Sequence, residues 1–373
     1  MNSDSVETDI EPAAGQTPPP AAPEPPAGPG GDKPKSLIDR ALGGMVWMYS
    51  GNAVFVILRG IVLVVLARLL TPEEYGLVGA ALLFVNFIQL FSQLGVGPAL
   101  IQRPELDERH LRTAFTVFTL SGLLFAGFVA VTAPLIAQFF QMDGLIPILR
   151  VAVLAFPIQG FTAVPVALMR RELRFRKLAI INVVAYGAGY GVVGIGMAYL
   201  GFGVWSLVGA VIARVSVAGI MLLFQQPYPK QLSFDREPFR DLMHFGGGFT
   251  IARLLDYVGS QGDNAMVGRE LGAAALGTYG RAFQLITIPS DLFGVVLDEV
   301  LFPSMAKLQN DLERLRLAYR SGIALYAIVL LPFSVLTLVL APEIVRVILG
   351  PQWNSVVLPF QILVLGMLFR AGN

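Results

Sequence analysis

Six arginines stand inside long apolar runs of this 373-residue chain: Arg59, Arg150, Arg214, Arg253, Arg281 and Arg370. A guanidinium stays charged at physiological pH, and its planar fork of donors matches the oxygens of a phosphate. Within hydrocarbon such a group costs about 2.5–3.5 kcal/mol on insertion scales, so each needs a partner or a wet cavity. Amides accompany the cations. Asn52 and Arg59 share one helical face, and Asn86, Gln89 and Gln93 form a polar stripe suited to hydroxyl-rich ligands. Further along, Arg253, Asp256, Ser260 and Asp263 follow i, i+3, i+7, i+10 spacing, and Arg281, Gln284, Asp291 and Asp298 also share a face. Between Asp39 and Asp241 every acidic residue lies outside the apolar runs, so buried carboxyls belong to the second part of the chain alone. A desolvated carboxyl can titrate. The expected cavity residues are therefore Arg59, Arg214, Arg253, Arg281, Asn52, Asn86 and Gln89, with Asp256, Asp291 and Asp263 as candidates for ion coupling. The spacing also allows Arg253 and Asp256 to neutralise each other as a helix-pinning pair.

The elements that must position these residues are membrane spans. The chain is 55% hydrophobic and 14% charged, with a mean hydropathy of +0.66. Soluble domains carry about a quarter charged residues, so this is an all-α polytopic membrane protein. About 20 apolar residues cross the hydrocarbon as a helix. On that measure ten spans are expected, near 43–68, 76–101, 112–140, 145–169, 178–200, 203–224, 240–267, 274–303, 317–340 and 355–373. Residues 1–41 are rich in Pro, Ala and Gly and read as a disordered tail. Zero cysteines exclude disulfides and thiolate chemistry, and two histidines make a His-based metal site unexpected. No G-x-x-x-x-G-K-[ST] occurs and no Ser/His/Asp arrangement stands out. Neither an enzyme nor a cofactor is expected.

Charge orients the spans. With the tail placed in the cytoplasm, eighteen Lys and Arg fall on that side and only Arg68, Arg269 and Arg346 on the other. This asymmetry places the N-terminus in the cytoplasm. The densest basic run, "RRELRFRK" at Arg170–Lys177, reads as an orientation signal at the lipid headgroups and not as a nucleic-acid site.

One sentence is written twice. "LVVLARLLTPEEYGLVGAALLF", Leu63–Phe84, and "GDNAMVGRELGAAALGTYGRAFQL", Gly262–Leu285, share R-x-L-x5-G-x-x-G without a gap. The matched residues are Arg68, Leu70, Gly76 and Gly79 against Arg269, Leu271, Gly277 and Gly280. A weaker echo pairs "APLIAQFF" at Ala133–Phe140 with "APEIVRVI" at Ala341–Ile348, each expected to end the third span of its unit. Six spans separate the copies, so the chain returns to the same side and the repeats are parallel. The expected organisation is an N-terminal six-helix lobe at 42–230 and a C-terminal lobe at 231–373 with four helices, around a shared cavity.

The segments "LARLLTPEEYGLVG" and "DNAMVGRELGAAALGTY" resemble the oligosaccharide flippases of the multidrug/oligosaccharidyl-lipid/polysaccharide exporter superfamily, in its polysaccharide (Wzx-like) branch. The second is close to that family's D-N-x-x-[IV]-G-[RK]-x-L-G-x-x-x-L-G-x-Y. Members have twelve to fourteen spans, so the second lobe is expected to be truncated relative to the family. The resemblance implies a cargo of undecaprenyl-diphosphate-linked oligosaccharide, bound in a positively charged cavity and flipped across the bacterial inner membrane by alternating access. The process served is surface or exopolysaccharide biosynthesis. The partners it implies are membrane lipids, a polysaccharide polymerase and glycosyltransferases, and no nucleic acid. Two other readings fit parts of the pattern. A cation-coupled multidrug exporter predicts an acid in the first lobe's spans, where there is none. A non-transporting scaffold for polysaccharide assembly has no use for buried charges on facing stripes.

Glycines and prolines complete the expectation. "GAGYGVVGIG" at Gly187–Gly196 lies inside a span, so Gly187 and Gly191 are expected to make a close helix contact. Pro98, Pro134, Pro157, Pro165, Pro289, Pro303 and Pro332 lie in or at the ends of spans, where each permits a kink.

Overall fold

The structure is a computed structural model that describes residues 55–93, 96–103, 106–226, 228, 231–296 and 312–370. The tail at 1–41, Asn52 and the end of the eighth expected span lie outside them. Among the described residues there are helices and no strands. In chain order these are α1 (55–69), α2 (Pro72–Gln93), α3 (Val96–Gln102), α4 (Glu108–Phe140), α5 (Leu145–Ala152), α6 (Ala155–Arg171), α7 (Phe175–Tyr199), α8 (Val204–Gln225), α9 (Arg236–Val296), α10 (Leu312–Val339), α11 (Ala341–Ile348) and α12 (Val357–Arg370).

Among the described residues, five helical segments are long and apolar enough to cross a membrane: those in α2, α4, α5 with α6, α7 and α8. A sixth is formed if the bent pair of α10 and α11 counts as one span. The protein is an all-α, multi-pass membrane protein. Its outer faces agree, because Leu124, Val131 and Phe224 are 68%, 79% and 85% exposed and belong in hydrocarbon, not water. The echo at 341–348 is not a straight continuation of the preceding helix: the chain bends by 72° after Val339, and 341–348 forms a separate helix.

Local chemistry explains where α2 begins. The Thr71 amide donates to Glu74 Oε2 at 2.7 Å, and the Glu74 amide donates to Thr71 Oγ1 at 3.3 Å. This reciprocal cap, with Pro72 at the first helical position, is the T-P-E-E signal of a helix start. Polar groups satisfied locally let α2 enter an apolar layer without orphan donors.

α9 is interrupted at Gly272, whose φ of 82° and ψ of −177° are not helical and favour a residue without Cβ. Its limbs, 236–271 and 273–296, lie side by side: the Tyr279 hydroxyl donates to Asp263 Oδ2 at 2.6 Å. These limbs correspond to the seventh and eighth expected spans.

Close backbone approach joins helices elsewhere. An ideal Cβ on Gly122 would sit 2.9 Å from the Phe156 carbonyl oxygen, and one on Gly160 would sit 2.6 Å from that of Phe118. α4 and α6 therefore meet through reciprocal glycines, the small-residue packing expected where lipid supplies no hydrophobic drive.

Candidate functional site

The two motif copies meet at one place. A Cβ on Gly76 would lie 1.7 Å from the Ala273 carbonyl oxygen, and a Cβ on Gly277 would lie 1.9 Å from that of Pro72. The repeat offset carries Pro72 onto Ala273 and Gly76 onto Gly277, so each glycine admits the other copy's first turn. Arg68 Nη2 donates to the Val347 carbonyl at 2.6 Å, and the Arg269 guanidinium lies 4.4 Å from the Phe139 ring centre. Phe139 and Val347 are equivalent positions of the weaker echo, so the exchange is reciprocal again. Trp353, fully buried, donates its indole N–H to the Ala67 carbonyl at 2.7 Å and packs edge-on to Tyr75 with ring centres 5.4 Å apart.

Beside this junction lies a cavity of about 550 Å³. Arg59 of α1, Arg214 of α8 and Arg281 of α9 line it, together with Tyr75, Tyr186 and Tyr190. Those arginines come from three distant parts of the sequence and were expected together. Among the described side chains no carboxylate lines the cavity, and none of the three arginines is in an ion pair. The Arg281 guanidinium stands 4.0 Å from the Tyr75 ring centre and donates to Gln284 Oε1 at 2.5 Å. Cation–π and amide contacts hold this cation in place without cancelling its charge. Tyr186 and Tyr190 stack with ring centres 4.8 Å apart.

A smaller annex of about 280 Å³ adjoins the cavity, sharing Tyr75, Gly280 and Arg281 with it. Asn86, Gln261 and Asn264 line the annex, and the Asn264 amide donates to Gln261 Oε1 at 3.2 Å. Asn86 is therefore near the arginines, as expected.

The other candidates lie apart. Gln89 and Arg253 line a second polar cavity of about 580 Å³, with Arg170 and Gln159, which shares no lining residue with the first. One stripe of α2 thus serves two spaces: Asn86 opens to the annex and Gln89 to this second cavity. Asp256 is exposed on α9 and lines neither polar cavity. Asp263 is also exposed and accepts the Tyr279 hydroxyl. Asp291 belongs to α9, but its side chain is outside the described residues, as is all of Asn52. No group of His, Asp or Glu that could hold a metal occurs among the described residues.

The tyrosines were not foreseen. Tyrosine crosses apolar layers at little cost, so it carries no alarm of the kind a buried arginine does. The available signal was "AYGAGYG", where Tyr186 and Tyr190 stand four apart on the glycine-rich stretch. That stretch, Gly187–Gly194, is a π-helical segment of α7. Here the contact expected at Gly187 and Gly191 falls elsewhere. A Cβ on Gly189 would lie 2.6 Å from both the Ala210 carbonyl oxygen and Arg214 Cβ, and one on Gly194 would lie 3.0 Å from Ala210 Cβ. A Cβ on Gly191 would meet nothing within 4 Å. In a π-helix the bonds run i to i+5, so residues five apart take the place of residues four apart.

Sequence and fold relate the chain to known proteins. The family described as "Polysaccharide biosynthesis protein" matches residues 65–358. The chain is 25% identical over 343 residues to the lipopolysaccharide biosynthesis protein WzxC of Escherichia coli, covering 91% of this chain and 69% of that protein. It is 25% identical over 327 residues to the teichuronic acid biosynthesis protein TuaB of Bacillus subtilis, covering 86% and 67%. With the succinoglycan biosynthesis transport protein ExoT of Rhizobium meliloti the identity is 26%, covering 79% of this chain and 60% of that one. Two solved structures share the fold. An inward-facing multidrug resistance MATE family transporter of the MOP superfamily superposes with a TM-score of 0.62 at 18% identity, covering 85% of this chain and 78% of that one. The lipid II flippase MurJ, in an inward closed conformation, gives a TM-score of 0.65 at 14% identity, covering 87% and 73%. The chain belongs to this polysaccharide biosynthesis protein family, the Wzx-like branch of the exporter superfamily that its doubled motif resembles.

Proposed function

We propose that the three-arginine cavity binds the diphosphate of a lipid-linked oligosaccharide and that the protein carries this headgroup across the bacterial inner membrane. The observation that supports the reading is the convergence of Arg59, Arg214 and Arg281 on one cavity, with no described carboxylate in its lining. Such a space repels cations and attracts a multiply charged anion, and guanidinium forks match its oxygens. Sugar hydroxyls have amide partners next door in Asn86, Gln261 and Asn264. On this reading the N-terminus is cytoplasmic, in keeping with the charge asymmetry of the loops. Alternation between open states moves two lobes, 42–230 and 231–373, against each other about the glycine junction. Ion coupling through Asp256, Asp291 or Asp263 belongs to the same proposal: replacing the responsible residue with Asn abolishes dependence of transport on the proton or sodium gradient.

The test uses the purified chain in vesicles with a fluorescent undecaprenyl-diphosphate-linked oligosaccharide. Arg59→Gln, Arg214→Gln and Arg281→Gln each lower its translocation and weaken binding of inorganic diphosphate. Wild-type translocation in all three variants would reject the proposal.

A further inference from the structure

Between α2, α4 and the first limb of α9 runs a groove of about 460 Å³ that the arginine site does not include. Its walls are apolar: Phe84 and Phe87 from α2, Phe128 and Phe139 from α4, and Tyr257 and Val258 from α9. On its outer side Phe128, Leu135 and Val258 are 50%, 64% and 57% exposed, so the groove opens sideways onto the hydrocarbon. At its inner end it shares Leu83, Tyr257 and Gln261 with the amide annex, which in turn shares Tyr75, Gly280 and Arg281 with the arginine cavity. The Tyr257 hydroxyl donates to the Leu83 carbonyl at 2.7 Å, which leaves the ring facing Phe87 at 6.0 Å between centres. The waist between annex and groove is thus dry on one side and polar on the other.

Three chemistries therefore follow one another along a single path: guanidinium groups, then amides, then an aromatic trough open to lipid. An amphiphile with an anionic head and a long apolar chain has that order of chemistry. We infer that this groove seats the head-proximal part of the apolar chain of the lipid whose diphosphate lies in the arginine cavity. The inference rests on the proposed function for its headgroup and adds the route of the tail. The chain leaves between α4 and the first limb of α9, and its remainder continues into the bilayer. Continuity with the arginines selects this occupant. An ordinary phospholipid tail resting in the trough would have no need of the amide passage or of the cations at its far end.

Gly262 offers a clean way to block the groove. It lines the trough, and a Cβ there would meet nothing within 4 Å, so a larger side chain enters without displacing backbone. The experiment compares Gly262→Phe, Arg214→Gln and the unaltered protein in phosphatidylcholine nanodiscs. The probes are undecaprenyl diphosphate, which has head and tail, and inorganic diphosphate, which has the head alone. Gly262→Phe should weaken undecaprenyl diphosphate about tenfold or more through lost apolar contact and leave inorganic diphosphate unchanged. Arg214→Gln should weaken both. Should Gly262→Phe fail to fold, Val258→Asn makes the same trough polar at an exposed position and carries the same expectation. If the groove variant binds undecaprenyl diphosphate normally while Arg214→Gln does not, the tail route is wrong and the headgroup reading stands. If Arg214→Gln leaves both probes unaffected, the headgroup reading fails and takes the tail route with it. Equal competition by phosphatidylglycerol for the undecaprenyl diphosphate signal also overturns the inference, because the groove is then a general lipid seat.

Discussion

Gly76 and Gly277 hold the same position in the two copies of the motif, and each lies against the other copy's first turn. Side chains cannot enter there: the Cβ positions stand 1.7 Å and 1.9 Å from carbonyl oxygens of Ala273 and Pro72. Duplication of the motif thus has a mechanical reason. A contact whose two sides exchange under the repeat needs the same small residue twice.

Gly76→Ala and Gly277→Ala should each destabilise the fold by about 1–3 kcal/mol or more, because the obstacle is backbone and cannot swing aside. Gly280→Ala should be near neutral, since its Cβ meets nothing within 4 Å. Unfolding midpoints in detergent check the contrast. Three equal midpoints would contradict the packing described.

The arginine cavity and the duplicated motif were legible in the sequence for different reasons. Arg59, Arg214 and Arg281 announced themselves through the cost of a charge in hydrocarbon, which leaves few places for them to point. Identical spacing in Leu63–Phe84 and Gly262–Leu285 showed the duplication but not that the two copies touch. What stayed hidden depended on how helices cross. Asn86 and Gln89 share a face of α2, yet neighbouring helices divide that face between two cavities. The acids at Asp256 and Asp263 have helical spacing suited to a wet stripe, but the limb that carries them exposes both. Periodicity shows which residues align, not what stands opposite them.

Arg68 and Arg269 form a reciprocal pair of clamps at one end of the bundle, one on the Val347 carbonyl and one on the Phe139 ring. Removing either by Arg→Ala should loosen that end by about 1 kcal/mol, roughly fivefold in the open fraction. The chain has no cysteine, so a single Thr278→Cys reports without background. Thr278 is 7% exposed and touches Ser355 Oγ at 3.2 Å. Maleimide labelling at position 278 should accelerate in both clamp variants. Unchanged labelling in both would show that the clamps do not hold this end.

Tyr75 connects the clamp region to the cavity, meeting Trp353 on one side and Arg281 on the other. Tyr75→Phe keeps both ring contacts and should bind inorganic diphosphate much as the unaltered protein does. Tyr75→Ala removes the face that positions Arg281. Loss of a desolvated cation–π contact of about 1–2 kcal/mol should weaken binding roughly tenfold. Equal affinities for the Phe and Ala variants would remove Tyr75 from the positioning of Arg281.

The π-helical segment of α7 allows a sharper test of how packing reaches the site. Gly189 lies against Ala210 and Arg214 of α8 so closely that a methyl group would meet the backbone nitrogen of Arg214 at 2.7 Å. Two residues on, Gly191 has open space. Helix propensity favours Ala over Gly by about 1 kcal/mol at both positions, so intrinsic preference alone predicts two equally benign substitutions. The contact predicts otherwise. Gly189→Ala pushes α8 away at the residue that carries a cavity cation, while Gly191→Ala leaves it in place. Isothermal titration with inorganic diphosphate should show weakened binding for Gly189→Ala and unchanged binding for Gly191→Ala. Raising ionic strength should lower affinity in the unaltered protein, because the attraction is between charges. Its slope should persist in Gly191→Ala and flatten in Gly189→Ala. Identical titrations for the two alanine variants would mean that the α7–α8 contact does not position Arg214.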